Sequence, residues 1–250
     1  YMWEHLASVL IGVNFNQNLH IYIGGGSNGK SVFTDLLASC LGDYYDGAVS
    51  ISLITQSRQK QGSASPDIVS LRGLRMAVMQ EPTKNDSINE GPMKELTSGI
   101  EPIKGRQLFG MPITFRPQCK IVVCSNYFMK VNSQDDGTWR RLAVVDFISQ
   151  FSENPEPNEE YPHQYLKDTS LNERFPVWKE VFMAMLVEIA MKTKGKITPC
   201  KMVNESSRKY RNREDHIAEF IDEKILGDIK NLEDEDNGGL IVADLKTGKP

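Results

Sequence analysis

Short apolar runs, separated by longer polar or helical stretches, recur through the first 150 residues of the chain. Four of these runs are rich in Ile, Val, Leu and Met, and they occupy residues 19–23, 76–79, 121–124 and 142–145. Consecutive apolar positions are typical of strands that are buried on both faces of a parallel sheet. The pattern therefore predicts an α/β fold in which helices flank a parallel sheet.

Apolar residues at helical spacing predict helices in residues 1–13 and 32–41. Residues 151–174 are rich in Pro, Asn, Glu and Tyr and show little periodicity, so they predict a linker. Broader apolar stripes at residues 177–189 and 217–225 predict the helices of a small helical C-terminal unit. The predicted division of the chain is an N-terminal helical edge (1–18), a core (19–150), a linker (151–174) and a helical C-terminal unit (175–250).

A glycine-rich loop joins the first predicted strand to the helix that follows it. We call residues 24–31 the glycine loop, because they fit the phosphate-binding pattern Gly-x-x-x-x-Gly-Lys-Ser/Thr. In such a loop the backbone N–H groups bind phosphate oxygens, the lysine reaches the β- and γ-phosphates, and the serine hydroxyl is a ligand of Mg²⁺. A plain glycine-rich turn is the alternative, but the flanking strand and helix favour a nucleoside triphosphate site. The predicted nucleotide-binding residues are Gly24, Gly25, Gly26, Ser27, Asn28, Gly29, Lys30 and Ser31.

Composition and charge restrict the remaining possibilities. With 250 residues, of which 40% are hydrophobic, the chain suits one α/β domain with an appendage. Its formal net charge of -4 gives no overall attraction to nucleic acid, so any such contact needs a local basic set. The four cysteines form no Cys-x-x-Cys pair, which argues against a zinc site and for a reducing compartment.

The sequence contains no recognisable targeting or anchoring segment. Its apolar runs fall short of the ~20 residues that span a bilayer, and the N-terminus lacks the charged and apolar regions of a signal peptide. We therefore expect a protein that is not secreted, that has no membrane partner and that works in the cytoplasm or nucleus. Because the chain begins at Tyr1 and ends without a closing element, we expect it to be a fragment of a longer protein.

Glu81 follows the second apolar run and is a candidate catalytic residue. A nucleotide hydrolase needs an acidic group at the end of a neighbouring strand, where the group holds Mg²⁺ or polarises water. We expect Pro82 to hold Glu81 in an extended conformation, which keeps the carboxylate at the carboxyl edge of the sheet. Open α/β sheets bind their ligands at that edge. The alternative is a solvated surface glutamate.

Three further candidate residues lie beside the last two apolar runs. Asn126 follows the third run, where it is suited to orient the attacking water or to sense the γ-phosphate; a simple turn residue is the alternative. Arg140 and Arg141 precede the fourth run. An arginine supplied by a neighbouring subunit neutralises charge on a transferring phosphoryl group. The alternative for this pair is a solvated surface or a salt bridge to Asp135 or Asp136.

The order of these motifs resembles that of the superfamily 3 helicases, an AAA+ group, and especially the helicase portion of the helicase-primases of poxviruses, other large DNA viruses, phages and plasmids. The resemblance covers residues 6–225. It rests on the glycine loop and on residues 65–67, 71–75, 81, 94–99, 104, 106, 115–117, 125–126 and 140–142, followed by Pro199, Val203, Ser206, Tyr210, Asp215, Ile217 and Phe220.

The resemblance implies a P-loop NTPase of the AAA+ type that forms a homo-oligomeric ring, usually a hexamer. Such a ring hydrolyses ATP with Mg²⁺ between its subunits, threads single-stranded DNA and moves 3′ to 5′ during viral, phage or plasmid replication. It also implies a primase domain in the same full-length chain, and work within an infected or host cell. Two departures are that Gln80 stands beside Glu81 where many relatives have two acids, and that residues 99–101 read Gly-Ile-Glu where relatives often have Gly-Asp.

A local basic set between the acidic motif and Asn126 is the candidate DNA contact. Its members are Lys94, Lys104, Arg106, Arg116 and Lys120. In the resembling family this stretch forms a hairpin that projects into the central channel, and residues 108–112 resemble its turn. Lys104 and Arg106 are then expected to bind the DNA backbone, and Phe109 to stack on a base. The alternative is that Phe109 and Met111 are core residues and the charges are solvated.

Three functions from different classes fit these residues. The leading interpretation is an ATP-dependent DNA helicase or translocase. A nucleotide-binding ring scaffold that scarcely hydrolyses ATP is a second possibility, supported by Gln80 beside Glu81. A small-molecule P-loop kinase is the third, but it leaves the paired arginines and the basic set without a role.

Overall fold

The computed structural model describes residues 1–57, 63–157, 159 and 162–215. The apolar stripe at residues 217–225 lies outside the described residues, so the helix expected there stays a prediction. One compact unit runs from Tyr1 to Tyr210. A second unit begins at Arg211, and its described part is residues 211–215, of which the first four complete a helix.

The described residues form helices and strands in the following order along the chain. The helices are α1 (Met2–Ser8), α2 (Lys30–Leu41), α3 (Ser52–Thr55), α4 (Pro66–Ser70), α5 (Glu90–Thr97), α6 (Asp136–Trp139), α7 (Leu171–Thr193) and α8 (Lys201–Glu214), with a 3₁₀ turn at Gly42–Tyr44. The strands are β1 (Leu19–Ile23), β2 (Tyr45–Asp46), β3 (Met76–Gln80), β4 (Ile103–Arg106), β5 (Pro112–Phe115), β6 (Lys120–Ser125), β7 (Leu142–Asp146), β8 (Gln150–Ser152) and β9 (Gln164–Leu166).

A five-stranded parallel sheet forms the centre of the unit, in the order β2-β3-β6-β1-β7. Its four longer strands contain the four apolar runs, so the predicted α/β fold with a parallel sheet is confirmed. Strand β2 has two residues, too few to produce a recognisable pattern. The carboxyl ends of β1, β3 and β6 meet at one edge, which we call the carboxyl edge; the opposite one is the amino edge.

Both faces of the sheet are covered, as the unbroken apolar runs require. Ile21 on β1 belongs to one core cluster together with Leu96 of α5. Its neighbour Tyr22 belongs to the other cluster, with Leu37 of α2 and Leu186 of α7. Successive side chains of a strand point to opposite faces, so one short strand supplies both cores.

Lys120 corrects two expectations from the sequence. It is buried rather than part of a DNA-contacting surface, with 2% of its surface exposed. Its ammonium group donates hydrogen bonds to the carbonyls of Ile11 (3.3 Å) and Val13 (2.8 Å). These two backbone carbonyls therefore accept hydrogen bonds from a side chain rather than from a continuing helix. Helix α1 ends at Ser8, whereas the sequence predicted a helix that extends to residue 13. Burial lowers the pKa of Lys120 to about 8.

The segment predicted as a linker contains regular structure. Strands β8 and β9 form a small parallel pair, and α7 begins at Leu171. Helix α7 packs against α1 and α2, within the same compact unit as the sheet. The polar and Pro-containing composition hid these two three-residue strands, which are too short for periodicity to reveal. The division into domains given above stays a prediction.

Candidate functional site

The glycine loop lies at the carboxyl edge of the sheet, between β1 and α2. Gly29 is the N-cap of α2 and has φ 84°, a left-handed conformation that glycine adopts without steric cost. A Cβ on Gly24 would lie 2.7 Å from the carbonyl oxygen of Phe147, which leaves no room for a side chain there. At Gly25 and Gly26 an added Cβ would meet nothing within 4 Å, so this backbone faces open space.

Lys30 joins the glycine loop to the strand that carries Asn126. Its Nζ donates hydrogen bonds to the carbonyl of Gly24 (2.7 Å) and to the Oδ1 atom of Asn126 (3.2 Å). Burial of the ammonium group lowers the pKa of Lys30. These acceptors carry only partial charges, and a phosphate, which carries full charges, is a stronger partner for the same ammonium group.

Asn28 has a buried donor without a partner. The residue is 8% exposed, and its Oδ1 accepts a hydrogen bond from the backbone N–H of Lys30 (3.4 Å). Among the described residues, its Nδ2 has no hydrogen-bond partner. A buried donor left unpaired costs about 1–3 kcal/mol, so the site favours an acceptor at this position. A phosphate oxygen bound by the glycine loop is such an acceptor, which fits the predicted nucleotide.

Glu81 reaches the same site from β3, but its backbone is not extended. Its φ is 52°, in the left-handed region, and its N–H donates a hydrogen bond to the carbonyl of Cys124 on β6 (3.1 Å). The expectation of an extended Glu81 before Pro82 was therefore wrong. The hydrogen bond to β6 draws the chain into a turn at the last rung of the sheet. A left-handed glutamate is strained by about 1–3 kcal/mol, a cost that is commonest at functional sites.

Gln80, the neighbour of Glu81, lines the same cavity, but its side-chain amide is bound by the adjacent loop. Its Nε2 donates a hydrogen bond to the carbonyl of Gly47, in the loop after β2 (2.9 Å). The side-chain amide is thus engaged by the neighbouring loop. Glu81 is therefore the carboxylate that the end of β3 presents to the site.

One cavity of about 860 Å³ connects these residues. Its lining combines Glu81, Asn126 and most of the glycine loop with a group of largely apolar side chains. That group includes residues that the sequence analysis did not single out: Phe151, Lys167, Asp168, Leu171, Phe175 and Trp178. They carry no motif. Four of them lie in the predicted linker, and Trp178 belongs to the apolar stripe at residues 177–189, which predicted a helix and gave no sign of a binding role.

The side-chain oxygen atoms that line the cavity are suitable ligands for the predicted Mg²⁺. Ser31, in the first turn of α2, and Glu81 both line it. In the described part of the chain, no three His, Cys, Asp or Glu side chains cluster as a metal cage. Mg²⁺ is commonly bound by one or two protein oxygens together with substrate phosphates and waters, so two protein donors suffice.

The paired arginines lie far from this cavity. The carbonyl of Arg141 accepts a hydrogen bond from the N–H of Leu19, the first residue of β1, which places the pair at the amino edge. Since β1 has five residues of about 3.3 Å each, the pair is separated from the glycine loop by about 16 Å of strand. The structure thus brings Glu81 and Asn126 to the glycine loop and leaves both arginines outside the site of their own chain.

The two arginines share one acceptor but differ in exposure. Arg141 is half-buried and donates a hydrogen bond from Nη1 to the carbonyl of Gly137 (2.6 Å), and burial, with the nearby charge of Arg140, lowers its pKa. Arg140 is exposed and donates from Nη2 to the Oε1 atom of Gln17 (3.0 Å), to which the Nη2 of Arg141 also donates (3.4 Å). Asp135, one suggested salt-bridge partner, instead pairs with Lys94 (2.7 Å).

A two-stranded antiparallel hairpin, β4 and β5, carries the candidate DNA contacts. Phe109 in its turn has φ 57° and is completely exposed, and Met111 is 84% exposed. Neither is a core residue, so that part of the alternative is wrong, while the part that treats the charges as solvated stays open. Lys104 is exposed, while Arg106 supports the turn by donating from Nε to the carbonyl of Gly110 (2.9 Å). Lys120 is buried and does not belong to this surface, and the charge of Lys94 is paired with Glu90 and Asp135.

None of the helices in the described residues has the length and apolar character needed to cross a bilayer.

Comparison with known proteins gives consistent matches. Residues 22–141 match a family of unknown function, DUF5906. The chain is 36% identical over 253 residues to "Putative helicase L207/L206" of Acanthamoeba polyphaga mimivirus, an alignment that covers 98% of this chain and 26% of that protein. It is 28% identical over 220 residues to "Putative primase C962R" of African swine fever virus, covering 82% and 22%. It is 26% identical over 263 residues to "Putative helicase 184R" of Invertebrate iridescent virus 6, covering 95% and 26%.

A solved structure, the apo A form of the NrS-1 C-terminal region, resembles the fold with a TM-score of 0.61 and 16% identity, covering 98% of this chain and 55% of that one. The chain spans about a quarter of the length of the viral relatives described above. These similarities relate the chain to proteins named as helicases and primases of large DNA viruses. The structural match supports the fold alone.

Proposed function

We propose that this chain is the ATP-hydrolysing part of a DNA helicase of the superfamily 3 (AAA+) type, acting in the replication of a large DNA virus or similar element. The observation that carries the proposal is the meeting of the glycine loop, Glu81 and Asn126 in one cavity at the carboxyl edge of the sheet. The viral relatives named as helicases and primases support it.

Each residue of the site has a role in this proposal. Water attacks the γ-phosphoryl group of bound ATP, the bond from that group to the β-phosphate oxygen breaks, and ADP leaves. The backbone of the glycine loop and Lys30 bind the β- and γ-phosphates. Ser31 and Glu81 would hold Mg²⁺, which would offset the negative charge of the phosphates. A Glu81 carboxylate oxygen accepts the proton of the attacking water, while the Asn126 side-chain amide orients that water.

The arginines complete the site of an adjacent subunit. Because Arg140 and Arg141 lie at the amino edge of their own sheet, they are available to a neighbour in a ring and not to their own cavity. An arginine that acts across a subunit boundary stabilises the charge that develops on the phosphoryl group. We propose a ring, of six subunits by the family resemblance, in which hydrolysis depends on assembly.

Single-stranded DNA is the proposed partner of the hairpin. The exposed Lys104 and the adjacent Arg106 provide positive charge for the phosphate backbone, and the exposed Phe109 ring suits stacking on a base. Movement 3′ to 5′ and a primase domain elsewhere in the full-length protein follow from the family resemblance.

Steady-state ATP hydrolysis tests this function. We expect turnover that rises with protein concentration and with single-stranded DNA, and that falls at least a hundredfold, roughly the cost of losing one charge-stabilising donor, in Lys30→Ala. Lys192→Ala is the matched control, because it removes an exposed lysine of α7 that pairs only with Glu188 among its described contacts. Wild-type turnover in Lys30→Ala would overturn the proposal.

A nucleotide-binding scaffold is the second candidate. It is favoured by the single carboxylate at the end of β3, since the amide of Gln80 is engaged by Gly47. Glu81→Gln separates the two functions, because it keeps the size of the side chain and removes the base. A motor should lose turnover about 10²–10⁴-fold while still binding ATP, whereas a scaffold should lose almost nothing.

A further inference from the structure

The lining of the cavity has two chemically different parts. Its polar part comprises the glycine loop, Lys30, Glu81 and Asn126, which the proposed function uses for phosphates, metal and water. The other part, which we call the aromatic end, comprises Val32, Leu36, Phe151, Leu171, Phe175 and Trp178, together with Lys167 and Asp168. Nothing in the phosphate chemistry requires this apolar group.

Phe151 is fixed directly to the glycine loop. Its backbone N–H donates a hydrogen bond to the carbonyl of Ser27 (2.7 Å). Its ring lies so close to Gly29 that a Cβ there would be 3.2 Å from Phe151 Cε2. The absence of a side chain at Gly29 therefore gives the aromatic ring room beside the start of α2.

Trp178 reaches the aromatic end from α7, which packs along α2. The Arg174 guanidinium lies over the indole, 5.7 Å from the ring centroid, and forms an ion pair with Asp168 (3.6 Å). Phe175, one turn earlier on the helix, is 7% exposed, while Trp178 keeps 39% of its surface accessible. The indole is thus supported by its neighbours and still open to a ligand.

A nucleotide whose phosphates lie on the glycine loop must place its base elsewhere in the cavity. Bases are flat and aromatic, and they stack on aromatic side chains with a preference for water-excluding surroundings. A cavity of about 860 Å³ also lies within the ~300–1,000 Å³ that small-molecule sites occupy.

We propose that the aromatic end is the base-binding subsite, in which Phe151 and Trp178 contact the faces of the base. Lys167 supplies a donor and Asp168 an acceptor beside the base edge. This inference rests on the proposed function, because it requires the phosphates to lie on the glycine loop. It adds an energetic role for α7 and for the segment after β7.

Calorimetric titration with two ligands tests the subsite. ATP carries a base, and inorganic tripolyphosphate carries the phosphates alone. Trp178→Ala should weaken ATP binding about tenfold, the order of magnitude of one lost base stack, and leave tripolyphosphate binding unchanged. Val177→Ala is the matched control, since Val177 is the preceding residue of α7, is 74% exposed and does not line the cavity.

Trp178→Phe provides a second measurement. It should retain most of the affinity for ATP because it keeps an aromatic face. We expect ATP to quench the tryptophan fluorescence of the wild type by stacking on Trp178, and Trp178→Phe should lose that quenching. The proposed subsite would be wrong if Trp178→Ala weakened the binding of ATP and of tripolyphosphate equally, or if it left ATP binding unchanged. Failure of the proposed function is distinct, because Lys30→Ala would then bind both ligands as tightly as the wild type.

Discussion

The two edges of the central sheet carry different chemical groups. At the carboxyl edge, the glycine loop, Glu81 and Asn126 come from three strands and meet in one cavity. At the amino edge, the paired arginines project from the turn before β7 and bind Gln17 and Gly137 through their guanidinium groups. The first region has room for a ligand, and the second presents charge on a surface.

This difference indicates why one chain is insufficient for the proposed reaction. The carboxyl edge holds groups suited to binding phosphate, metal and water, but no arginine from the amino edge reaches it within the same chain. About 16 Å of strand separates the two sets. In the proposed function, an arginine of a neighbouring subunit completes the cavity.

The largest expected effect comes from removing the arginine pair. Arg140→Ala, Arg141→Ala should lower ATP turnover about 10³-fold, the low end of the range for arginines that act across subunits, and should leave ATP binding intact. Turnover and nucleotide binding are measured on assembled protein. Arg208→Ala, Lys209→Ala removes two exposed charges from α8 as the control. Near-normal turnover in the arginine variant would show that the amino edge has no catalytic role.

Substitutions in the hairpin should weaken DNA binding and leave ATP hydrolysis at the carboxyl edge unchanged. Lys104→Ala, Arg106→Ala should abolish stimulation of hydrolysis by single-stranded DNA and reduce the slope of log affinity against log salt by about 1.4, or ~0.7 for each lost phosphate contact. Turnover without DNA should not change. The control Lys192→Ala, Arg208→Ala removes the same charge elsewhere. Full DNA binding by the hairpin variant would make this placement of DNA wrong.

The smallest effect concerns stability near the amino edge. His5 and His20 stack with ring centroids 3.5 Å apart, between Tyr1, Tyr22 and Lys120. Burial lowers the pKa of both histidines, that of His20 to about 3, and the charge of Lys120 adds to this. As the pH falls, the two histidines therefore take up protons in the unfolded chain before they do so in the folded protein. Their contribution to the free energy of unfolding is complete above the ordinary histidine pKa of about 6.5 and is lost as the pH falls towards 3.

Thermal unfolding measures this effect. The midpoint should fall by at least about 5 °C between roughly pH 7 and pH 5. His163→Ala, which removes an exposed histidine, should show the same fall. A midpoint that stays constant over this range would contradict the assignment of two buried neutral histidines.

Local sequence patterns predicted the carboxyl edge better than its surroundings. The glycine loop is specified by adjacent residues, and Glu81 and Asn126 each follow an apolar run, so their meeting required only a parallel sheet. Phe151 and Trp178 were missed because their position depends on how α7 packs against α2. Burial of Lys120 also depends on tertiary contacts, since its partners are carbonyls more than a hundred residues away.

The left-handed backbone of Glu81 was not predicted for a different reason. Proline after it restricts the backbone and indicated an extended residue, but the hydrogen bond from the Glu81 N–H to Cys124 on the adjacent strand determines the turn. Local preference was overruled by pairing between strands that are distant in sequence.

Mixing two inactive variants tests the shared site most directly. Lys30→Ala lacks a working glycine loop, and Arg140→Ala, Arg141→Ala lacks the arginines, so neither should hydrolyse ATP at a significant rate alone. In rings assembled from equal amounts of both, about a quarter of the interfaces unite an intact loop with intact arginines. We expect hydrolysis to reappear at a corresponding fraction of the wild-type rate. A mixture that assembles and remains inactive would contradict the claim that the two edges of neighbouring sheets form one site.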